Sequence, residues 1–250
     1  MRKILLISGH GAGDPGTTSN IKGIHYEEAK ETIKVAQSLK TAIEKYDLSA
    51  DLYPVSNNAY DDCVNGTFAG LAKPYEYDFI LEIHFNSCVQ DLVGDGDTTG
   101  VEIYTCRNVE QWEKELPTII VNNVANIGFT NRGVKEKSFN VIYKCQSYGV
   151  QAALLETCFL DDADDIALYN NKFNEIIANI AAAIAEYFGV GEKEIMKKQD
   201  IKVKINGKQE VVQGYFVDGV NYVPVRIFEK AGAKINWDMK EQTVIIENMK

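Results

Sequence analysis

The chain predicts an α/β fold, layered around a mostly parallel sheet, with a small β-rich domain appended at its C-terminus. Three observations carry this. Over residues 1–188, apolar runs of strand length alternate with longer tracts whose apolar residues recur every three or four positions, the pattern of a sheet packed against helices. Beyond residue 200 the helical period gives way to β-prone runs punctuated by Asn206-Gly207 and Asp218-Gly219, strong hairpin signals. Charge habit changes at the same place. Of 26 basic and 36 acidic residues, eight and six fall in 201–250 and three and three in 192–200, leaving 15 and 27, a balance of −12, in 1–191.

Each element follows from its residues. Residues 3–8 are an apolar run ending in Gly9-His10-Gly11, a buried strand opening into a loop. In 27–46, Ala29, Ile33, Ala36, Leu39 and Ile43 mark one face of a helix. A strand is expected at 50–55 and a weak helix at 59–72, interrupted by Gly66 and Gly70. Residues 78–86 form a strand, and 90–99 a loop rich in Gly, Asp and Thr. A strand at 100–106, a helix at 109–127 and strands at 141–143 and 152–157 follow. The tract 164–188 is helical, with a break expected near Asn170, and the acid pairs Asp161-Asp162 and Asp164-Asp165 cap it. Domain boundaries are set at 1–189, a linker at 190–200, and 201–250. The last part reads as strands at 201–205, 209–212, 215–217 and 220–224, a short helix at 225–231 and a strand at 243–247.

Composition excludes several classes. With 45% hydrophobic and 25% charged residues among 250, the chain has the make-up of an ordinary soluble globular protein. A net charge of −10 disfavours nucleic acid as a partner. Five cysteines, at 63, 88, 106, 145 and 158, form no CxxC and make an odd count, so a disulfide framework is not expected. The apolar runs at 4–7 and 181–185 are too short for a membrane span. The opening MRKILLISGHG lacks a signal-peptide core. The expectation is synthesis in the cytoplasm without an export signal.

Only three histidines exist. His10 sits where the first strand meets a glycine-rich loop, with room to meet a metal or substrate; a solvated loop histidine is the equal alternative. Alternation in Glu82-Ile83-His84-Phe85-Asn86 puts Glu82, His84 and Asn86 on one strand face, costly unless they are paired or bound. His25 precedes a helix and reads as a surface residue. Glu156 ends an apolar strand, where desolvation would raise its pKa and suit it to proton transfer; a structural ion pair is the alternative. Glu27 and Glu28 open the first helix, where acids commonly complement the helix dipole. Two His and one carboxylate with an open position form a common catalytic zinc set.

As a set, Gly9-His10-Gly11 with Asp14-Pro15-Gly16, the helix-opening Glu28, Glu82-Ile83-His84-Phe85-Asn86, Asn131-Arg132-Gly133-Val134 and Glu156-Thr157-Cys158-Phe159 resemble the zinc-dependent N-acetylmuramoyl-L-alanine amidases of type 3, which cleave peptidoglycan. The resemblance covers about residues 1–188. It implies a twisted sheet flanked by helices, zinc (Zn2+) held by His10, Glu28 and His84, and Glu156 as the catalytic acid. Asn86 and Arg132 are placed as substrate contacts and Glu102 beside them, though each reads equally well as structural. Cys88 and Cys158 are read as small packing residues. The implied reaction is hydrolysis of the muramic acid–L-alanine amide, by an endolysin or an autolysin acting on the wall after release. The competing readings are a zinc carboxypeptidase acting on the stem peptide and a non-catalytic wall-binding protein.

The C-terminal segment resembles a second family. Tyr222-Val223-Pro224-Val225-Arg226, Ala231-Gly232-Ala233-Lys234-Ile235-Asn236-Trp237-Asp238 and Thr243-Val244-Ile245-Ile246 look like the copper amine oxidase N-terminal-like domain. Copper is not implied, since residues 201–250 hold no His and no Cys. A wall-targeting module and a packing or dimerising appendage are equal readings of it.

Overall fold

Alternation along the first strand sorts the molecule into two layers. In β1 (Arg2–Ser8), Ile4 and Leu6 join one hydrophobic cluster while Leu5 and Ile7 join another on the opposite face, because successive strand side chains point to opposite sides. The computed structural model describes residues 1–193, 198–205, 207–217, 219–238 and 243–247. The chain divides into two compact units, Met1–Lys193 and Glu194–Lys250.

The first unit is built on a six-stranded sheet. Its strands are β1, β4 (Leu48–Leu52), β5 (Phe79–Asn86), β6 (Val101–Thr105), β7 (Asn131–Glu136) and β8 (Ala152–Phe159), in the order β4-β1-β5-β8-β6-β7. Neighbours run parallel except β8 and β6. One layer holds α1 (Glu28–Ile43), α4 (Glu115–Ala125) and α6 (Ala163–Tyr187), which pack on Ile4, Leu6, Phe79, Leu81, Ile83, Ile103 and Leu155. Full burial of each such apolar side chain is worth about 1.5–3 kcal/mol. The other layer is shorter, with α2 (Ala59–Asn65), α3 (Phe68–Ala72) and α5 (Asn140–Ser147) contributing Ala59, Phe68, Ala72, Val141 and Cys145. A hairpin of β2 (Thr18–Ile21) and β3 (Ile24–Glu27) leads into α1.

Several sequence expectations are corrected. Residues 141–143 lie in α5, not in a strand: Val141, Ile142 and Cys145 are buried at helical spacing, and three β-prone residues cannot overrule that packing. The expected helix at 59–72 is two helices, parted at Gly66, which takes φ 79° as the C-cap of α2. The expected break near Asn170 is absent, since α6 runs unbroken and Asn170 donates its amide to the Tyr26 hydroxyl. Residues 111–114 form a 3-10 turn ahead of α4. The β2–β3 hairpin and β7 were not anticipated, because Gly133 and the polar residues around it hide the strand period.

In the second unit, β9 (Lys198–Ile205), β10 (Lys208–Val217) and β11 (Val220–Tyr222) form an antiparallel sheet in the order β11-β10-β9. A 3-10 segment, Val225–Ala231, precedes the antiparallel pair β12 (Lys234–Asp238) and β13 (Thr243–Glu247). The two strands expected at 209–212 and 215–217 are one, and β12 is additional. Asn206 and Asp218 of the two expected turns, and residues 194–197 of the expected linker, lie outside the described residues.

The acid pairs before α6 do more than cap it. Asp162 is the N-cap, accepting from the backbone N–H of Asp164 and Asp165. Asp161 Oδ2 instead accepts the N–H groups of Cys88, Val89 and Gln90 at 2.9, 3.0 and 2.9 Å. Cys88 and Gln90 have φ of 94° and 58°, a left-handed alternation that turns successive N–H groups toward one anion. Asp165 accepts from Gly100 and Phe159, and Asp164 from Gly96. The α6 start therefore holds the segment between β5 and β6. Asp161→Ala strands three donors at once and should cost about 2–3 kcal/mol in urea unfolding; a loss below about 0.5 kcal/mol would show that water replaces the carboxylate.

Candidate metal centre and active site

The site face of the sheet turns polar toward the C-terminal strand ends. In β5, Ile80 is followed on the same face by Glu82, His84 and Asn86; in β8, Ala152 and Leu154 are followed by Glu156. A cavity of about 550 Å³ opens at that end, lined by His10, Asp14, Glu28, Glu82, His84, Asn86 and Glu156 and by Tyr60 and Phe139 at the starts of α2 and α5. Open α/β sheets place their sites at this edge.

Three residues far apart in the chain meet here. One nitrogen or carboxylate oxygen from each of His10, Glu28 and His84 lies within 4.8 Å of the others. His10 stands just past β1 with φ 63°, a left-handed conformation costing about 1–3 kcal/mol in a non-glycine residue and held by the bridge between Gly11 and Asp14. Two glycines let the rings close in. A Cβ at Gly9 would overlap the His84 imidazole, and one at Gly16 would sit 2.6 Å from His10 Cδ2 and 2.7 Å from Glu28 Oε2. Glu28 opens α1 and is only 3% exposed, whereas Glu27 ends β3, partly exposed, and pairs with Lys30.

The hydrogen bonds show what the centre is fitted to hold. Glu28 Oε1 accepts the Phe85 N–H at 3.0 Å and Oε2 the Thr17 N–H at 2.9 Å. Its oxygens also face His84 Nδ1 at 2.9 Å and His10 Nε2 at 3.1 Å. The outer nitrogens face carboxylates too: His10 Nδ1 lies 2.8 Å from Asp14 Oδ2, and His84 Nε2 lies 3.1 Å from Glu82 Oε1. An ionised carboxylate only accepts, and a neutral imidazole carries one N–H. Each ring can satisfy its outer partner and then presents a lone pair to Glu28. That inner space needs protons or a cation.

Electrostatics agrees. Burial alone would lower the His10 and His84 pKa values, but Glu28, with Asp14 for His10 and Glu82 for His84, raises both, His84 strongly. Burial would raise Glu28, but the two imidazoles pull it far below the usual carboxylate range. Glu156 behaves oppositely: desolvation pushes it up to about 7, against the opposing charge of His84. It pairs in register with His84 across β5 and β8, and its buried Oε2 has no hydrogen-bond partner among the described residues. The donor set of two neutral nitrogens and a carboxylate fits a divalent ion such as zinc.

The remaining candidates separate. Asn86 lines the cavity and donates Nδ2 to Glu102 Oε1 at 2.8 Å. Arg132 donates Nε to Glu102 Oε2 at 2.5 Å and lies over the Phe159 ring; it is not among the cavity-lining residues. Glu102 is 1% exposed and also accepts from Tyr104 and Lys135. Lys135 joins Arg132 on Glu102 because the β6–β7 register shifts by one residue between them, which the alternation of a regular strand does not convey. Cys158 is buried as expected, but Cys88 is exposed, because Asp161 claims the backbone on its inner side. His25 is exposed beside Asn20.

Comparison with known proteins places the chain. A family model described as N-acetylmuramoyl-L-alanine amidase matches residues 4–186. The sporulation-specific N-acetylmuramoyl-L-alanine amidase of Bacillus subtilis (strain 168) is 30% identical over 167 residues, which are 66% of this chain and 59% of the relative. The probable autolysin PH of Staphylococcus aureus is 26% identical over 195 residues, 73% of this chain and 38% of that protein. The chain thus spans 59% and 38% of the length of these relatives. Among solved structures, the catalytic domain of CwlV, an N-acetylmuramoyl-L-alanine amidase from Bacillus (Paenibacillus) polymyxa var. colistinus, shares the fold with a TM-score of 0.60 at 24% identity, covering 76% of this chain and all (100%) of that one. An N-acetylmuramoyl-L-alanine amidase from Clostridium difficile 630 gives 0.61 at 21% identity, covering 75% and 97%. With the family model covering most of its first unit, this chain belongs to the N-acetylmuramoyl-L-alanine amidase family.

Proposed function

We propose that this chain is a zinc-dependent hydrolase of the amide between N-acetylmuramic acid and L-alanine in peptidoglycan. The observation that carries the reading is the meeting of two outward-anchored imidazoles and a buried carboxylate in an open cleft, beside a second carboxyl group with a free oxygen. His10, Glu28 and His84 would hold the metal. A zinc ion supplies acidification of water and polarisation of a carbonyl.

The chain's own residues do the rest. Glu156 takes the proton of the attacking water as its oxygen bonds to the lactyl carbonyl carbon. It returns that proton to the L-alanine nitrogen as the C–N bond breaks, leaving a lactyl carboxylate and a free amine. Its raised pKa suits both roles. Asn86, held by Glu102, is placed to contact substrate at the cleft wall; Arg132 acts by neutralising Glu102. Phe139 and Tyr60 offer apolar surface to sugar and peptide.

We further propose that the enzyme acts on the cell wall as an autolysin or endolysin, in line with what its relatives are named, and that the second unit, with its likeness to the copper amine oxidase N-terminal-like domain, helps hold it there. No described helix is long and apolar enough to cross a membrane.

Glu156→Gln should retain zinc yet lose about 10²–10⁴-fold in turnover, read as release of L-alanine amines from purified walls. Near-native release refutes the role of Glu156, and a new carboxy-terminal cut within the stem peptide instead points to a carboxypeptidase. Metal removal should make stability pH-dependent. Without metal, protons on the raised imidazoles hold Glu28, so that stabilisation is complete below about pH 6.5 and fades as pH rises through the raised values. Thermal melts of chelated protein should therefore fall from pH 6 to 9, and zinc should restore the loss at the high end; a flat profile counts against the centre. Sedimentation with purified walls should weaken when residues after 193 are deleted, and equal binding removes the targeting role.

A further inference from the structure

We propose that Glu82 is a positioning residue that fixes His84 in its metal-binding tautomer. The inference rests on the metal-centre reading above and adds to it a residue that braces a ligand from its far side.

Glu82 lies two residues before His84 on the same face of β5, so its carboxylate runs alongside the imidazole. Oε1 lies 3.1 Å from Nε2. With Nε2–H donated to that oxygen, the neutral ring carries its lone pair on Nδ1, which faces Glu28. Without Glu82 the ring is free to carry its hydrogen on Nδ1, as donor to Glu28, and the inward lone pair is lost. A carboxylate on the outer nitrogen also strengthens the imidazole as a ligand.

The fold gains little from an acid here. Glu82 is 5% exposed and its Oε2 has no hydrogen-bond partner among the described residues, while Ile80, the preceding residue on that face, packs in the apolar cluster. A half-satisfied buried carboxylate is expensive. Its one good contact is with the ring. Asp14 plays the matching part for His10, at 2.8 Å, but its side chain is 47% exposed, so water can take its place there. The two carboxylates should therefore differ in effect.

The test is zinc affinity of the full chain by competition with a chromophoric chelator, alongside melts of the metal-free protein. E82Q keeps an oxygen for Nε2–H but loses the charge, and should bind zinc about 10-fold more weakly; E82L removes the acceptor and should lose about 10–100-fold. D14N should lose less than E82Q. Metal-free melts of E82Q should stay close to wild type. Affinities of E82Q and E82L within twofold of wild type overturn the proposal. So does a loss of affinity matched by equal loss of metal-free stability, or a second zinc per chain that E82Q abolishes, since Glu82 would then be a ligand itself. If E82L does not fold, the near-isosteric E82Q decides. Wild-type protein that takes up no zinc overturns instead the metal-centre reading beneath.

Discussion

A carboxylate sunk to near-complete burial between two imidazoles is the constraint around which the first unit is arranged. Glu28 cannot stay ionised in that position without positive charge close by, and the surrounding residues are placed to ensure it. Two backbone N–H groups aim its oxygens, glycines at 9 and 16 let the rings approach, and each ring is braced from outside by a further carboxylate. The left-handed backbone at His10 is a local cost of this arrangement, offset by the bridge that closes the loop and by the ring's two partners.

The site's position follows from how the sheet changes character along its strands. On the face toward α2, α3 and α5, β1, β5 and β8 begin apolar and end polar or small, and the first turns of α2 and α5 wall the cavity there. The opposite face stays apolar to the end of β5, with Phe85 beneath the same strand terminus that presents His84 and Asn86. One face supplies rigidity and the other chemistry.

Much of this could be read from residue order. Alternation at 82–86 placed Glu82, His84 and Asn86 together, and helical spacing defined α1 and α6. The three-residue run at 141–143 misled, because such a short stretch fits either period and its burial against α2 and β8 is a tertiary fact. Strand β7 was hidden since Asn131, Arg132 and Lys135 are polar for reasons outside the strand: they answer Asn122 and Glu102 on neighbouring elements. Single positions gave the choice between Glu27 and Glu28 only by likeness; burial separates them. The outer carboxylates Asp14 and Glu82 were visible as residues, but their bond to the far side of each ring is a matter of geometry that spacing cannot convey.

The acids at the start of α6 have a consequence for how such chains can change. Asp161, Asp162, Asp164 and Asp165 all accept backbone hydrogens from the segment that joins β5 to β6, and Leu160 donates its own to Asn86. Residues 86–100 and 160–165 are therefore one interlocked piece, though distant in the chain. Recombination that swaps the second stretch between homologous chains for one without these acids would leave the backbone donors of the first facing no anions. Drift in either stretch is tied to the other, so the rim of the cleft should diversify by paired replacement rather than by independent loop variation.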